Sequence, residues 1–256
     1  MISVDSIQPY GPDRSVVGKL RRRLVKLYAR RPARRGPQDR PWLSVTFDDA
    51  PTTATTVGAE ILKAHGAKGA YYISAGLLGL DGHMGPYAEW SDVERLHAEG
   101  HEIGCHTLDH TDLGPAGAEI TRDAVSTNRA ALEAHGIPSP TTFAYPYGDV
   151  SFAPKAVLAP RFDLLRALHH GVIERGVDLN QAPSVGMEGP EGEQTARTWL
   201  RRAAERKAWL ILTAHDVQAQ PSPWGCTPDA LRRIVKEAVD RGFEIITVAE
   251  GARRVA

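Results

Sequence analysis

From Trp42 onward two kinds of apolar pattern alternate along the chain. Short dense runs occupy Trp42–Phe47, Gly69–Ile73, His101–Cys105, Thr142–Tyr145, Phe162–Leu165, Trp209–Thr213 and Phe243–Val248, and each reads as a strand. Between most of them lie longer segments whose apolar residues recur every three or four positions. These are Thr56–His65, Trp90–Ala98, Ala116–His135, Thr195–Lys207 and Asp229–Arg241, and each reads as a helix. Strand–helix alternation predicts a parallel sheet with helices outside it. Seven strands in this length predict a closed or nearly closed β/α barrel, with an open doubly wound sheet as the alternative.

Residues 1–40 depart from this rhythm. From Arg14 to Arg31 the pattern predicts a helix with Val17, Leu20, Leu24 and Tyr28 on one stripe, while Arg21, Arg22, Lys26 and Arg30 mostly lie off it. Pro32, Arg34, Arg35, Gly36 and Pro37 then break the helix into a basic linker. The expected organisation is a basic helical extension and linker over 1–40, ahead of a catalytic barrel over 41–256. The stripe either packs on the barrel or a second subunit, or lies on anionic lipid at the inner membrane. Its modest apolar content favours packing.

Composition changes this picture little. The 256 residues carry 42% apolar side chains and 31 basic against 31 acidic groups, which suits one large domain and argues against a dedicated nucleic-acid binder. Two cysteines, Cys105 and Cys226, imply no disulfide framework and are expected to be small buried apolar residues. Met1–Pro12 carries no leader pattern, and no apolar run approaches the roughly 20 residues that span a bilayer. A cytoplasmic location is the expectation.

The chemistry gathers where strands end, which in β/α barrels is where working groups cluster. Asp48 and Asp49 close the first run, His106 and His110 follow the third, Tyr147 follows the fourth and His215 the sixth. An i, i+4 spacing would aim both imidazoles the same way from one helical turn. Imidazole nitrogens with a carboxylate suit zinc and other late divalent metals, so His106, His110 and Asp49 form a candidate ligand set. Two adjacent carboxylates are costly to bury without a cation, and a metal on Asp49 would leave Asp48 as general base toward a water. His215 is either a general acid, with Asp216 as one carboxylate able to orient it, or a core histidine satisfied by backbone. Tyr145-Pro146-Tyr147-Gly148 is either a packed aromatic turn or a source of backbone oxyanion donors and a sugar-stacking ring. His65, His83, His97, His135, His169 and His170 read as surface or packing residues, and His101 should point away from the catalytic rim.

Taken together, these residues resemble the NodB-homology polysaccharide deacetylases, the fourth family of carbohydrate esterases. The resemblance runs over roughly residues 40–250. Thr46-Phe47-Asp48-Asp49 matches the first motif, whose earlier aspartate is the base and whose later one binds metal. His106-Thr107-Leu108-Asp109-His110 matches the H-[ST]-x-x-H metal motif. Ala144-Tyr145-Pro146-Tyr147 occupies the R-x-P-Y motif, whose tyrosine backbone N–H helps hold the oxyanion, and Leu212–His215 looks like the motif of the catalytic acid. Ala144 replaces the arginine of R-x-P-Y, and the D-x-x-D-W motif is not recognisable. Arg166, after the run Phe162–Leu165, is a candidate to replace that arginine, with a surface salt bridge as the other reading.

The resemblance implies a distorted (β/α)7 barrel and a divalent metal, zinc first, with cobalt, nickel or manganese as alternatives. It implies hydrolysis of N-acetyl groups from N-acetylglucosamine units, with Asp48 as base and His215 as acid. More narrowly the chain resembles the holdfast exopolysaccharide deacetylases, so the implied substrate is a bacterial adhesive exopolysaccharide or its lipid-linked precursor. An O-acetyl esterase, a small-molecule amidase or deformylase, and a non-catalytic glycan-binding barrel are the alternatives. Partners then include the glycan, a second copy and inner-membrane lipid, but no nucleic acid.

Overall fold

A computed structural model describes residues 15–256. The Met1–Pro12 stretch and the predicted helix start at Arg14 lie outside the described residues. The first run forms β1, Trp42–Asp48, buried along its whole length. Parallel partners cover both its edges: β2, Ala70–Ile73, pairs at Thr46–Asp48, and β9, Trp209–Ala214, pairs from Trp42 to Phe47. Outward from β2 follow β5 (Glu102–Cys105), β6 (Thr142–Ala144) and β7 (Leu164–Arg166), all parallel.

The strand order is β7-β6-β5-β2-β1-β9-β8, where β8 is Val185–Gly186, and β10 (Glu244–Ile245) pairs with the start of β1. The sheet curls because its two edges are drawn together by one segment. Ala182 donates to Leu165 O (2.8 Å) and accepts from Ala167 N–H (2.9 Å), and three residues later β8 pairs with β9. The curled seven-strand parallel sheet bears out the β/α barrel that the alternation predicts, in the distorted form that the resemblance implies. A short antiparallel hairpin, β3 (Asp81–Gly82) with β4 (Gly85–Pro86), stands apart from it.

Helices α2 (Ala59–Lys63, entered through a π-helical turn at Ala54–Gly58), α3 (Trp90–Ala98), α4 (Ala118–Ala134), α6 (Gly192–Arg206) and α7 (Pro228–Asp240) match the five predicted ones. In α7 the buried face is Ala230, Leu231, Ile234, Val235 and Ala238, and Thr227 caps the helix by accepting from Ala230 N–H. Each buried Leu, Ile or Val there contributes about 1.5–3 kcal/mol. The α4 face carries a polar exception, Asn128, fully buried. Its side chain donates to Ile73 O (2.9 Å) and Cys105 Sγ (3.2 Å) and accepts from Ala75 N–H (2.9 Å), pinning the exits of β2 and β5 at the catalytic end. Both cysteines are free and buried.

Two predicted elements differ, and one helix is additional. The run Phe243–Val248 yields only two strand residues, because Thr247 accepts from Glu250 N–H and starts α8, Val248–Val255. Phe152–Leu158 forms α5, which the pattern did not predict. The N-terminal helix, α1, is limited to Val16–Val25.

The end of α1 and the residues after it are tied to the barrel by polar contacts. Fully buried Lys155 donates to Val25 O (3.0 Å) and pairs with Asp178 (2.7 Å), and the Arg31 guanidinium donates to the carbonyls of Ala159, Phe162 and Asp163. The apolar stripe does not make the contact: Leu20 and Leu24 are 55% and 48% exposed, and Tyr28 is exposed too, whereas Val25 on the opposite face is fully buried. Among the described residues no helix is long and apolar enough to cross a membrane.

Candidate metal centre

Adjacent strand residues point to opposite faces, so Asp48 and Asp49 would ordinarily diverge. The backbone prevents this by turning left-handed at Asp49 (φ 60°) and Ala50 (φ 52°). Thr107 (φ 64°), His110 (φ 51°) and Tyr147 (φ 58°) are left-handed as well, so five of the seven such non-glycine residues among those described surround one point. Backbone strain concentrated in this way marks a functional site. It also replaces the helical turn expected between His106 and His110: the two lie on an irregular loop leaving β5, and left-handed turns bring their rings to 4.9 Å.

Asp49 Oδ1 lies 3.7 Å from His106 Nε2 and 3.7 Å from His110 Nε2. These distances are too long for hydrogen bonds and suit three donors on one ion with bonds of about 2.1 Å. Asp49 Oδ1 is also buried with no hydrogen-bond partner, which a cation would remedy. His106 Nδ1 lies 2.8 Å from Ala144 O, and a carbonyl only accepts, so the ring proton sits on Nδ1 and the Nε2 lone pair faces Asp49. Burial lowers His106 and His110 to about 4, keeping both imidazoles neutral as ligation requires. Burial, opposed by His106 and His215 and reinforced by Asp48, pushes the Asp49 carboxyl up. The donor set therefore fits a divalent metal.

Asp48 is held differently. The Arg166 guanidinium contacts its Oδ2, and both side chains are almost wholly buried. Burial alone would raise the Asp48 carboxyl, but Arg166, with His106 and His215, holds it below the ordinary carboxylate range. Arg166 is itself fixed by Ser184 Oγ and Thr213 Oγ1, each 3.2 Å from Nη1, and lies over the Tyr72 ring. Register explains how it serves. Ala144 on β6 pairs directly with Arg166 on β7, so the guanidinium reaches Asp48 from one strand further along. Arg166 is a buried partner of Asp48, not a surface salt-bridge residue.

His215 follows β9. Its Nδ1 lies 3.2 Å from Trp224 O and 3.4 Å from Glu188 Oε1. Burial would lower it, but Glu188 and the two aspartates outweigh burial and raise it to about 9. Asp216 does not orient it. The Asp216 carboxylate turns away to Ser222 and Gln218 and braces the loop beyond. Glu188, in the loop between β8 and α6, is the carboxylate that sequence reasoning missed. Tyr147 is 42% exposed, with its ring edge-on to His110 at 4.5 Å, so it stands at the mouth of the site. Opposite influences reach His83, read from sequence as peripheral. It sits edge-on to Trp224 at 4.9 Å and is close enough to feel the Asp49 and His215 charges. His101 lies at the far end of β5, buried, with Nδ1 accepting from Gly69 N–H (3.0 Å).

Fold and site together define a β/α barrel with a three-donor metal set beside an arginine-held aspartate and a carboxylate-paired histidine. The family model described as polysaccharide deacetylase matches residues 35–159. Among curated relatives, a peptidoglycan-N-acetylglucosamine deacetylase of Listeria monocytogenes is 32% identical over 111 residues, 43% of this chain and 22% of that protein. The chain spans less than half the length of the curated relatives it matches first. The carbohydrate-esterase domain of a multidomain xylanase from the hindgut metagenome of Trinervitermes trinervoides has the same fold, with TM-score 0.61, 20% identity, and 84% of this chain and 91% of that one covered. A family 4 acetyl xylan esterase from Clostridium thermocellum, solved with a cobalt ion, gives TM-score 0.57, 21% identity and coverage of 83% and 91%.

Proposed function

We propose that the chain is a metal-dependent N-deacetylase acting on N-acetylglucosamine units of a bacterial adhesive exopolysaccharide of the holdfast type, or of its lipid-linked precursor, in the cytoplasm. The observation that carries this reading is the division of labour between the paired aspartates: Asp49 faces two neutral imidazoles, while Asp48 is kept ionised by Arg166.

Asp49, His106 and His110 would hold the ion, zinc before cobalt, nickel or manganese. When bound, the ion polarises the acetyl carbonyl and makes water a better nucleophile near neutral pH. Asp48, held as a carboxylate, takes a proton from the attacking water. The Tyr147 backbone N–H is assigned to the oxyanion that forms as the carbonyl becomes tetrahedral. His215, protonated up to about pH 9, gives a proton to the departing sugar nitrogen, and Glu188 steadies it. The products are acetate and a glycan amine, which is cationic near neutral pH and alters how the polymer adheres.

The test is acetate release from N-acetylglucosamine oligomers. Release should vanish with a chelator and return with zinc or cobalt, and Asp48→Ala should abolish it while metal content is retained. Full turnover in Asp48→Ala would refute the assigned base. Cleavage of acetyl esters with inert oligomers would redirect the reading to an O-acetyl esterase.

A further inference from the structure

Eleven large apolar side chains are exposed among the described residues, and five of them fall within residues 16–28. Two more, Phe152 and Leu168, adjoin that segment. Tyr28 packs edge-on against Phe152 at 5.4 Å, and Leu168 and the residue following Tyr147 line a cleft of about 320 Å³ beside α1. Exposed apolar surface on this protein is therefore concentrated, and concentration of this kind marks an interaction face.

We propose that the outer face of α1 is a docking surface for an anionic phospholipid bilayer, which would hold the catalytic rim at the membrane. Val16, Leu20 and Leu24 stack on successive turns, on the side away from buried Gly18 and Val25, and exposed Leu27 follows in the next turn. The helix is fastened from behind by polar contacts: Arg21 to Asp149 (3.1 Å) and Gly114 O (3.2 Å), and Lys155 to Val25 O. The barrel thus fixes the helix while leaving its leucines outward.

Charge selects the occupant. Lys19, Arg23 and Lys26 are exposed beside the stripe and make no ion pair among the described residues, and with Arg22 they form the basic wall of the cleft that ends at Gly148 and Leu168. An apolar stripe flanked by the exposed cations Lys19, Arg23 and Lys26 matches the headgroup and acyl boundary of an anionic leaflet. A second copy of the chain would have to place those cations against their own images. This inference does not depend on the reaction proposed above, although a lipid-linked glycan would then meet the site at the surface that carries it.

The experiment is co-sedimentation of the full chain with vesicles of phosphatidylcholine alone and with added phosphatidylglycerol, at low and high salt. Binding is expected only with phosphatidylglycerol, and it should weaken as salt rises. The triple variant Lys19→Gln/Arg23→Gln/Lys26→Gln should bind about a hundredfold more weakly. Leu20→Ser/Leu24→Ser/Leu27→Ser should lose binding while acetate release from soluble oligomers is unchanged, which separates docking from catalysis. Absence of binding to anionic vesicles, or equal binding by the leucine variant, would overturn the proposal. So would a wild-type dimer that the leucine variant converts to monomer without any vesicle binding.

Discussion

Replacing Arg166 by Met tests how the site keeps its base ionised. The guanidinium is wholly buried, contacts Asp48 Oδ2, and is gripped by Ser184 and Thr213. Methionine approximates the volume but takes away the guanidinium that contacts the Asp48 carboxylate, which stays buried at 2% exposed. Breaking a buried ion pair in this way costs about 3–5 kcal/mol, a large share of a domain's total of about 5–15 kcal/mol. Part of that cost is relieved if Asp48 takes up a proton, and a protonated Asp48 is no base. Arg166→Met should therefore lower kcat, move the acidic limb of the pH–rate profile upward, and leave bound zinc unchanged. The double variant Arg166→Met/Asp48→Asn removes the stranded charge, so it should melt higher than Arg166→Met while staying inactive. Urea unfolding with and without each change, alongside acetate release from pH 5 to 9, reads both effects. If Arg166→Met keeps its turnover and acidic limb, or if the double variant is no more stable than the single, Arg166 does not hold Asp48.

Three further outcomes are expected. Glu188→Gln removes the carboxylate that raises His215 to about 9, so the basic limb of kcat should move to lower pH with metal content unaltered. An unmoved limb would remove Glu188 from the mechanism. Asp49→Asn keeps the size of the donor but loses its charge, and calorimetric zinc titration should reveal at least tenfold weaker binding. Wild-type affinity would place the ion elsewhere. His101 is neutral in the fold and lowered by burial to about 4 from an ordinary 6.5, so its contribution is present above pH 6.5 and lost as pH falls toward 4. The stability difference between wild type and His101→Gln should shrink by up to about 3 kcal/mol between pH 7 and 4, and a constant gap would contradict this.

What was legible in the sequence follows from how far each signal depends on neighbours. The long strands were readable because β1 and β9 are buried throughout and therefore densely apolar. β8 is two residues long and owes its pairing to the segment that links the sheet edges, so no local pattern announces it. The strand wrongly extended to Val248 did carry a signal. Thr247 and Glu250 stand at capping-box spacing, which begins a helix. Adjacency in sequence offers Asp216 as a carboxylate able to orient His215, yet consecutive residues leaving a strand face opposite ways. Glu188 reaches His215 from another loop, and only the β8–β9 pairing brings them together.

The same reasoning explains why a site missing the arginine of R-x-P-Y remains intact around Asp48. In a parallel sheet, residues in register at the strand ends form a row across the rim, and neighbouring strands lie about 4.8 Å apart. A side chain as long as arginine spans that step, so the cation can move from the Ala144 position to its registered partner Arg166 and still reach the same carboxylate. The exchange requires space over β6, which the small Ala144 side chain provides, and a polar seat for the longer reach, which Ser184 and Thr213 provide. His106 also depends on this strand, since its ring proton is donated to Ala144 O, a backbone group indifferent to the side chain at 144. The ion pair on Asp48 is therefore complete although its arginine stands on β7, the strand next to the one that carries Ala144, and a motif read along one strand alone cannot register that placement.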